Sequence, residues 1–95
     1  MSNVIDEAVS ALTGRLGEGF DGVAKFVLTG EGAIIVDGGG VRAGDDAADV
    51  TLTAEPEVFR DILDGDLSAT AAFMSGRLTV DGDMGMAMRL GSLLG

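Results

Sequence analysis

A chain of 95 residues, 46% of them hydrophobic but only 4% aromatic, holds one domain with a largely aliphatic core and leaves no length for a second. It contains no Cys and no His, which removes disulfides, thiolate nucleophiles, Ser-His-Asp chemistry, and zinc or haem sites built on those ligands. A net charge of −10, with the few basic residues scattered from Arg15 to Arg89, repels phosphate backbones and anionic lipid surfaces, so nucleic acid is not an expected partner and membrane contact is expected to be transient at most.

The opening Met1 to Glu7 has neither the basic start nor the apolar run of a secretory signal, and no apolar run elsewhere is long enough to span a bilayer. A cytoplasmic location is therefore expected. The acidity fits either plain solubility or a salt-rich cytoplasm. Val4, Ile5, Ala8, Val9, Leu12 and Leu16 recur at helical spacing behind Ser2 or Asn3, with Asp6 and Glu7 in the first turn where the helix dipole favours them. This predicts an amphipathic first helix ending in Gly14 and Gly17, with Gly19 in the loop beyond.

From Ala24 the pattern changes to alternation. Lys25 to Thr29 and Ala33 to Asp37 read as two strands joined by the turn Gly30-Glu31-Gly32, and the glycines at 38, 39 and 40 turn the chain into a short strand over 41–43. The triple glycine lacks the Lys-Ser/Thr ending of a phosphate loop. An acidic, small-residue loop from Gly44 to Ala48 precedes a fourth strand over 49–53. Pro56 then opens a short helix, with Thr53 or Glu55 before it and Val58, Phe59, Ile62 and Leu63 on its apolar face, up to Gly65. Ser68 or Thr70 caps a further turn or two through Phe73 and Met74.

In the last strand Leu78 and Val80 alternate with Arg77, Thr79 and Asp81. Gly82 ends it, and Asp83 is the N-cap of a final helix. That helix is apolar over more than one arc: Met84, Ala87, Met88 and Leu94 form one stripe, and Met86, Leu90 and Leu93 a second. A surplus of this kind calls for a cover, whether partner chain, membrane or ligand, and methionines adapt to varied shapes. Ordinary core filling explains the same residues without any ligand. The whole predicts an α+β domain in which a meander of strands is joined by a fifth, with a helical crossover that permits parallel pairing of that fifth strand.

Asp64-Gly65-Asp66-x-Ser68 begins like a calcium loop but has Ala69 where glycine belongs and Ser75 where glutamate belongs, and Asp81-x-Asp83 fails in the same way. Asp45, Asp46 and Asp49 read as a solvated loop. No cofactor and no metal are expected, and no motif points to an enzyme.

The run Ala72-Phe73-x-x-Gly76-Arg77-Leu78-x-Val80-x-Gly82-Asp83-Met84-Gly85-x-Ala87-Met88-Arg89-Leu90 resembles the signature end of the sterol carrier protein 2 (SCP-2) domain family, as do Asp49 to Thr53 followed by Phe59 and Gly65. The resemblance implies a five-stranded, mostly antiparallel mixed sheet covered on one face by helices, with an apolar cavity between them. It also implies non-catalytic binding and carriage of an apolar lipid-like ligand: a fatty acid, acyl-CoA, sterol or phospholipid. By matched position the expected ligand contacts are Phe73, Met74, Leu78, Val80, Met84, Met86, Met88 and Leu90, with Phe59, Ile62 and Leu63 on the covering helix. Core packing alone explains Leu78 and Val80. The chain departs from the family in its acidity, in Ser68 and Ala69 where a proline is usual, and in Ser92 to Gly95, which is no peroxisomal signal. Two other readings stand beside the carrier: a homodimer formed through the final helix, and an auxiliary domain serving a partner enzyme.

Overall fold

The computed structural model describes residues 4–16 and 20–94. The elements run α1 (Val4–Leu16), β1 (Ala24–Leu28), β2 (Gly32–Asp37), β3 (Gly40–Ala43), β4 (Val50–Ala54), α2 (Pro56–Asp64), α3 (Ala69–Met74), β5 (Thr79–Gly82) and α4 (Met84–Leu94). The first helix continues through Gly14 to Leu16, whereas Ser2, Asn3, Gly17 and Gly19 lie outside the described residues.

The strands form one sheet in the order β3-β2-β1-β4-β5. β1 to β3 are the expected antiparallel meander, and the one parallel pair is β1 with β4 at the centre of the sheet. The crossover permits parallel pairing of the fifth strand, but β5 runs antiparallel to β4, with Leu52 opposite Val80 and Thr53 opposite Thr79. α2 and α3 together carry the chain away from the end of β4 and return it to that same end, where a single crossover helix would have delivered it to the start of the strand.

Alternation decides which face is covered. Ala24, Phe26 and Leu28 of β1 and Val50, Leu52 and Ala54 of β4 are buried while the residues between them are only half-buried, so one face of the sheet receives the helices. There the ring of Phe26 meets that of Phe59 edge-on, with centroids 5.7 Å apart and planes at 87°. Ile5, Leu12 and Leu16 of α1, Ile62 of α2, Ala72 of α3, and Ala87, Leu90 and Leu94 of α4 complete this core.

The opposite face is not bare. Ile35 points away from the helices, opposite Lys25, yet has no exposed surface. The link from β3 to β4 covers it: Gly44 N–H donates to the Ala33 carbonyl, Lys25 Nζ meets Asp45 Oδ1 at 2.8 Å, and Asp49 N–H donates to the Val23 carbonyl. The acidic loop is thus the crossover that a central parallel pair demands.

At the edge hairpin, Arg42 donates to both carboxylate oxygens of Asp37, at 3.0 and 2.8 Å, and Gly39 N–H donates to one of them. The Arg42 bond, seconded by Gly39, holds the Asp37 carboxyl below its ordinary range. A depressed folded value means that this contribution to stability is present above the unfolded value near 3.8 and is lost as pH falls through the folded one. Asp37→Asn is therefore expected to flatten the acid limb of a stability–pH profile and to leave its slope at neutral pH unchanged, as read by urea titrations across the range.

Gly82 ends β5 at φ 102°, where an added Cβ would lie 2.3 Å from the Asp49 carbonyl oxygen; Gly30 also has a positive φ, of 80°, but open space around it. Gly82→Ala is expected to cost about 2–4 kcal/mol, strain and backbone clash together, against about 1 kcal/mol for Gly30→Ala. Urea unfolding of both variants checks this, and equal losses would show that the close approach at Asp49 is unimportant.

Candidate functional site

An apolar space among the packed helices lies between α1 and α2. Val4, Ala8 and Ala11 of α1 form one wall, Pro56, Phe59 and Leu63 of α2 the other, and Leu28 the floor, around a cavity of about 220 Å³ that opens to solvent. The α1 wall is low because alanines occupy it at 8 and 11. At the rim Arg60 Nη2 approaches Glu7 Oε2 at 3.4 Å, both side chains being largely exposed.

The helices around this groove are pinned from outside. The guanidinium of Arg15, in the last turn of α1, donates to the Leu94 carbonyl at 2.9 Å and to the Leu63 carbonyl. These are C-terminal carbonyls of α4 and α2, so one cation meets the negative ends of two helices. α4 is held at its other end by Asp83, whose side chain accepts from Met86 N–H at 3.1 Å, as the sequence predicted. Ser68 likewise caps α3 by accepting from Ala71 N–H.

The expected ligand contacts fall into three groups. Phe59 and Leu63 line the groove. Ile62, Leu78 and Leu90 are buried in the core, Val80 is half-buried opposite Leu52, and Met86 is half-buried, with its terminal methyl where a Cβ on Gly22 would sit. Phe73, Met74, Met84 and Met88 are exposed, Met74 by 78% and Met88 by 74%. The two stripes assigned to α4 do not coincide with its faces: Ala87 and Leu94 from one and Leu90 from the other point inward together, while Met84 and Met88 flank this face on one side and Leu93 on the other.

The α1 wall, the Leu28 floor and the Arg15 contacts did not emerge from the sequence. Ala8 and Ala11 carried the only signal for the wall, as small residues on a side of α1 that holds no large apolar group. Among the described residues no polar or charged side chain is buried, and no cluster of carboxylates is close enough to hold a metal ion.

A single helical layer over one face of a five-stranded mixed sheet, with an apolar groove between two of its helices, defines a two-layer α+β domain. Residues 5–95 match the model of the SCP-2 sterol transfer family, and the chain belongs to that family. It is 40% identical over 71 residues to peroxisomal multifunctional enzyme A of Dictyostelium discoideum, covering 75% of this chain and 15% of that protein. To hydroxysteroid dehydrogenase-like protein 2 of Xenopus laevis it is 38% identical over 82 residues, covering 78% of this chain and 20% of that protein. The chain thus spans a fifth or less of these relatives. Among solved structures, sterol carrier protein 2 of Aedes aegypti in complex with palmitate superposes with a TM-score of 0.80 at 27% identity, covering 99% of this chain and 96% of that one. The palmitated SCP-2-like 2 protein of the same organism superposes with a TM-score of 0.70 at 26% identity, covering 96% and 91%.

Arg15→Met keeps the aliphatic stem but removes both donors. It is expected to lower stability by about 1–3 kcal/mol and to speed amide exchange in the last turns of α2 and α4 first. Uniform acceleration across the sheet as well would assign Arg15 a global role instead.

Proposed function

We propose that this domain binds and carries an apolar lipid-like molecule, foremost a single acyl chain, in the groove between α1 and α2, and performs no covalent chemistry on it. The observation that carries this reading is the groove itself: apolar walls and floor, with charge only at the rim, beside a core whose large side chains are otherwise fully packed. The palmitate held by relatives of this fold supports the ligand class.

Ligand sites for drug-sized molecules run to about 300–1,000 Å³, and this groove is smaller, at about 220 Å³. A long chain therefore requires α1 and α2 to part. Two contacts between them oppose this: the exposed ion pair of Glu7 with Arg60, by no more than about 1 kcal/mol, and the Arg15 donation to the Leu63 carbonyl. Burial of the chain drives it, at about 25 cal/mol per Å² of apolar surface before ordering costs are subtracted. Phe59 and Leu63 meet the chain first, and Ile62, inward on the same helix, bounds its deeper end.

Mass spectrometry under non-denaturing conditions, followed by organic extraction, is expected to show one apolar adduct per chain. Ala11→Trp fills the groove from its open side without cutting the core, and is expected to weaken binding of a fluorescent fatty acid by at least about tenfold. Ser10→Trp, exposed one residue away and outside the groove lining, should bind as the parent does. Equal loss in both variants, or in neither, would remove the groove from the reading.

A second reading is favoured by the exposure of Met84 and Met88 on one side of α4: that side is a contact surface for a second copy of the chain. Met88→Asp separates the two. It is expected to leave fatty-acid binding unchanged if the groove is the site, and to turn a dimer into monomers if α4 is the interface, as measured by light scattering.

A further inference from the structure

The large apolar side chains that neither core nor groove uses are gathered in one part of the molecule. Among the described residues those exposed are Phe73, Met74, Met84, Met88 and Leu93, and all five stand on α3 and α4. Met84, Met88 and Gly91 fall on one stripe of α4, and Ala69 and Phe73 on one stripe of α3. The stripes meet where a Cβ on Gly91 would lie 3.5 Å from the Ala69 Cβ, so the two helices present a joined surface.

The shape of α4 suits a flat partner. Gly85 and Ser92 lie opposite the buried Ala87, Leu90 and Leu94, so short residues form the outer crest, with Met84 and Met88 on one flank and Leu93 on the other. A crest this low lets a flat surface come close to the helix while the longer apolar chains at its flanks reach past it.

Charge is divided along the same line. Residues 1–66 carry fourteen carboxylates and four cations and residues 67–95 two of each, so the whole net charge of −10 lies before Leu67. Neither α3 nor α4 contains an acidic residue, and Asp83, at the start of α4, is occupied as its cap. Their single charge is Arg89, exposed on α4 with its guanidinium 5.9 Å from the centre of the Phe20 ring.

We propose that the joined surface of α3 and α4 docks on a zwitterionic lipid surface, with its exposed apolar side chains entering the interfacial layer and Arg89 meeting lipid phosphate. The inference goes beyond the groove and does not depend on it. Methionine and phenylalanine side chains pack against a fluid partner without a complementary shape. A neutral interface meets the uncharged part of the chain without electrostatic cost, whereas an anionic one repels the carboxylates that flank it. A second copy of the chain is the competing occupant and fits less well. A twofold contact through α4 brings Arg89 to helices that offer no free carboxylate, and it joins two chains of net charge −10.

The test is flotation of the whole chain with phosphatidylcholine vesicles. At about 0.15 M salt the parent is expected to float with them. Phe73→Asp and Met88→Asp should each weaken partition by at least about tenfold, because each puts a carboxylate into the interface. Ser10→Asp adds the same charge to exposed surface on α1 and should change partition less than about twofold. Replacing about a third of the lipid with phosphatidylglycerol should weaken partition of the parent, and about 1 M salt should restore it. The chain has no Trp, so Met84→Trp provides a single reporter that keeps the surface testable if an aspartate variant fails to fold. Its emission should shift to the blue on addition of vesicles, and that of Ser10→Trp should not. Absence of partition by the parent, equal partition of parent and patch variants, or tighter binding to the anionic vesicles overturns the proposal. So does a dimer in light scattering that Met88→Asp dissociates while the parent ignores vesicles, an outcome that assigns the surface to a second copy.

Discussion

The parallel pairing of β1 with β4 at the centre of the sheet constrains nearly everything else. Because β3 lies at one edge and β4 beyond β1, the chain must cross three strand spacings, about 14 Å, and step back roughly 7 Å along the strands, a path of about 16 Å. The stretch from Ala43 to Val50 reaches at most about 23 Å when extended, which leaves no slack for a helix or for an arch away from the sheet. The link therefore lies flat on one face, fastened by Lys25 with Asp45 and by the backbone bonds at Gly44 and Asp49, and it buries Ile35 beneath it. With that face taken by the crossover, all four helices pack on the other. Any space for an apolar ligand has to be found among helices.

Within that layer the forces are unequal. The sheet side is held by side chains with little or no exposure, among them Phe26, Leu52, Ile62 and Leu90, each worth about 2–5 kcal/mol against truncation to alanine. The polar contacts between α1 and α2 are peripheral by comparison: the Arg15 guanidinium on the Leu63 carbonyl, and one surface ion pair. Local opening follows the weaker contacts, and at the α2 side of α1 these are weaker than the burial of Ile5, Leu12 and Leu16 that holds the helix to the sheet. The groove itself follows from the placement of small residues, Ala8 and Ala11, on α1.

Much of this architecture was legible from the chain. Strand alternation, the Pro56 start, the Asp83 and Ser68 caps and the glycine turns are local signals, and each depends on a few neighbouring residues whose chemistry permits little else. The direction of β5 was not, because two short helices and one long one leave similar traces in sequence but return the chain to opposite ends of a strand. The faces of α4 were misgrouped for a related reason: in a helix with apolar residues nearly all round, the pattern does not say which arc meets the sheet. Ala87 and Leu90 turn inward because β4 and β5 lie there. The groove was least legible. Its walls come from two helices forty residues apart, and alanines that make room for something have no signature distinct from alanines that merely favour a helix.

Charge sets how such a domain meets its surroundings. At physiological ionic strength, fields fade over about 8 Å, so a net −10 is felt only on close approach. Against an anionic surface every approach is repelled; against a neutral, zwitterionic one the penalty is desolvation alone. The exposed large apolar side chains, Phe73, Met74, Met84, Met88 and Leu93, sit on α3 and α4, and none of them lines the groove of α1 and α2. The apolar groove and the exposed apolar side chains thus lie on separate helices of the same layer.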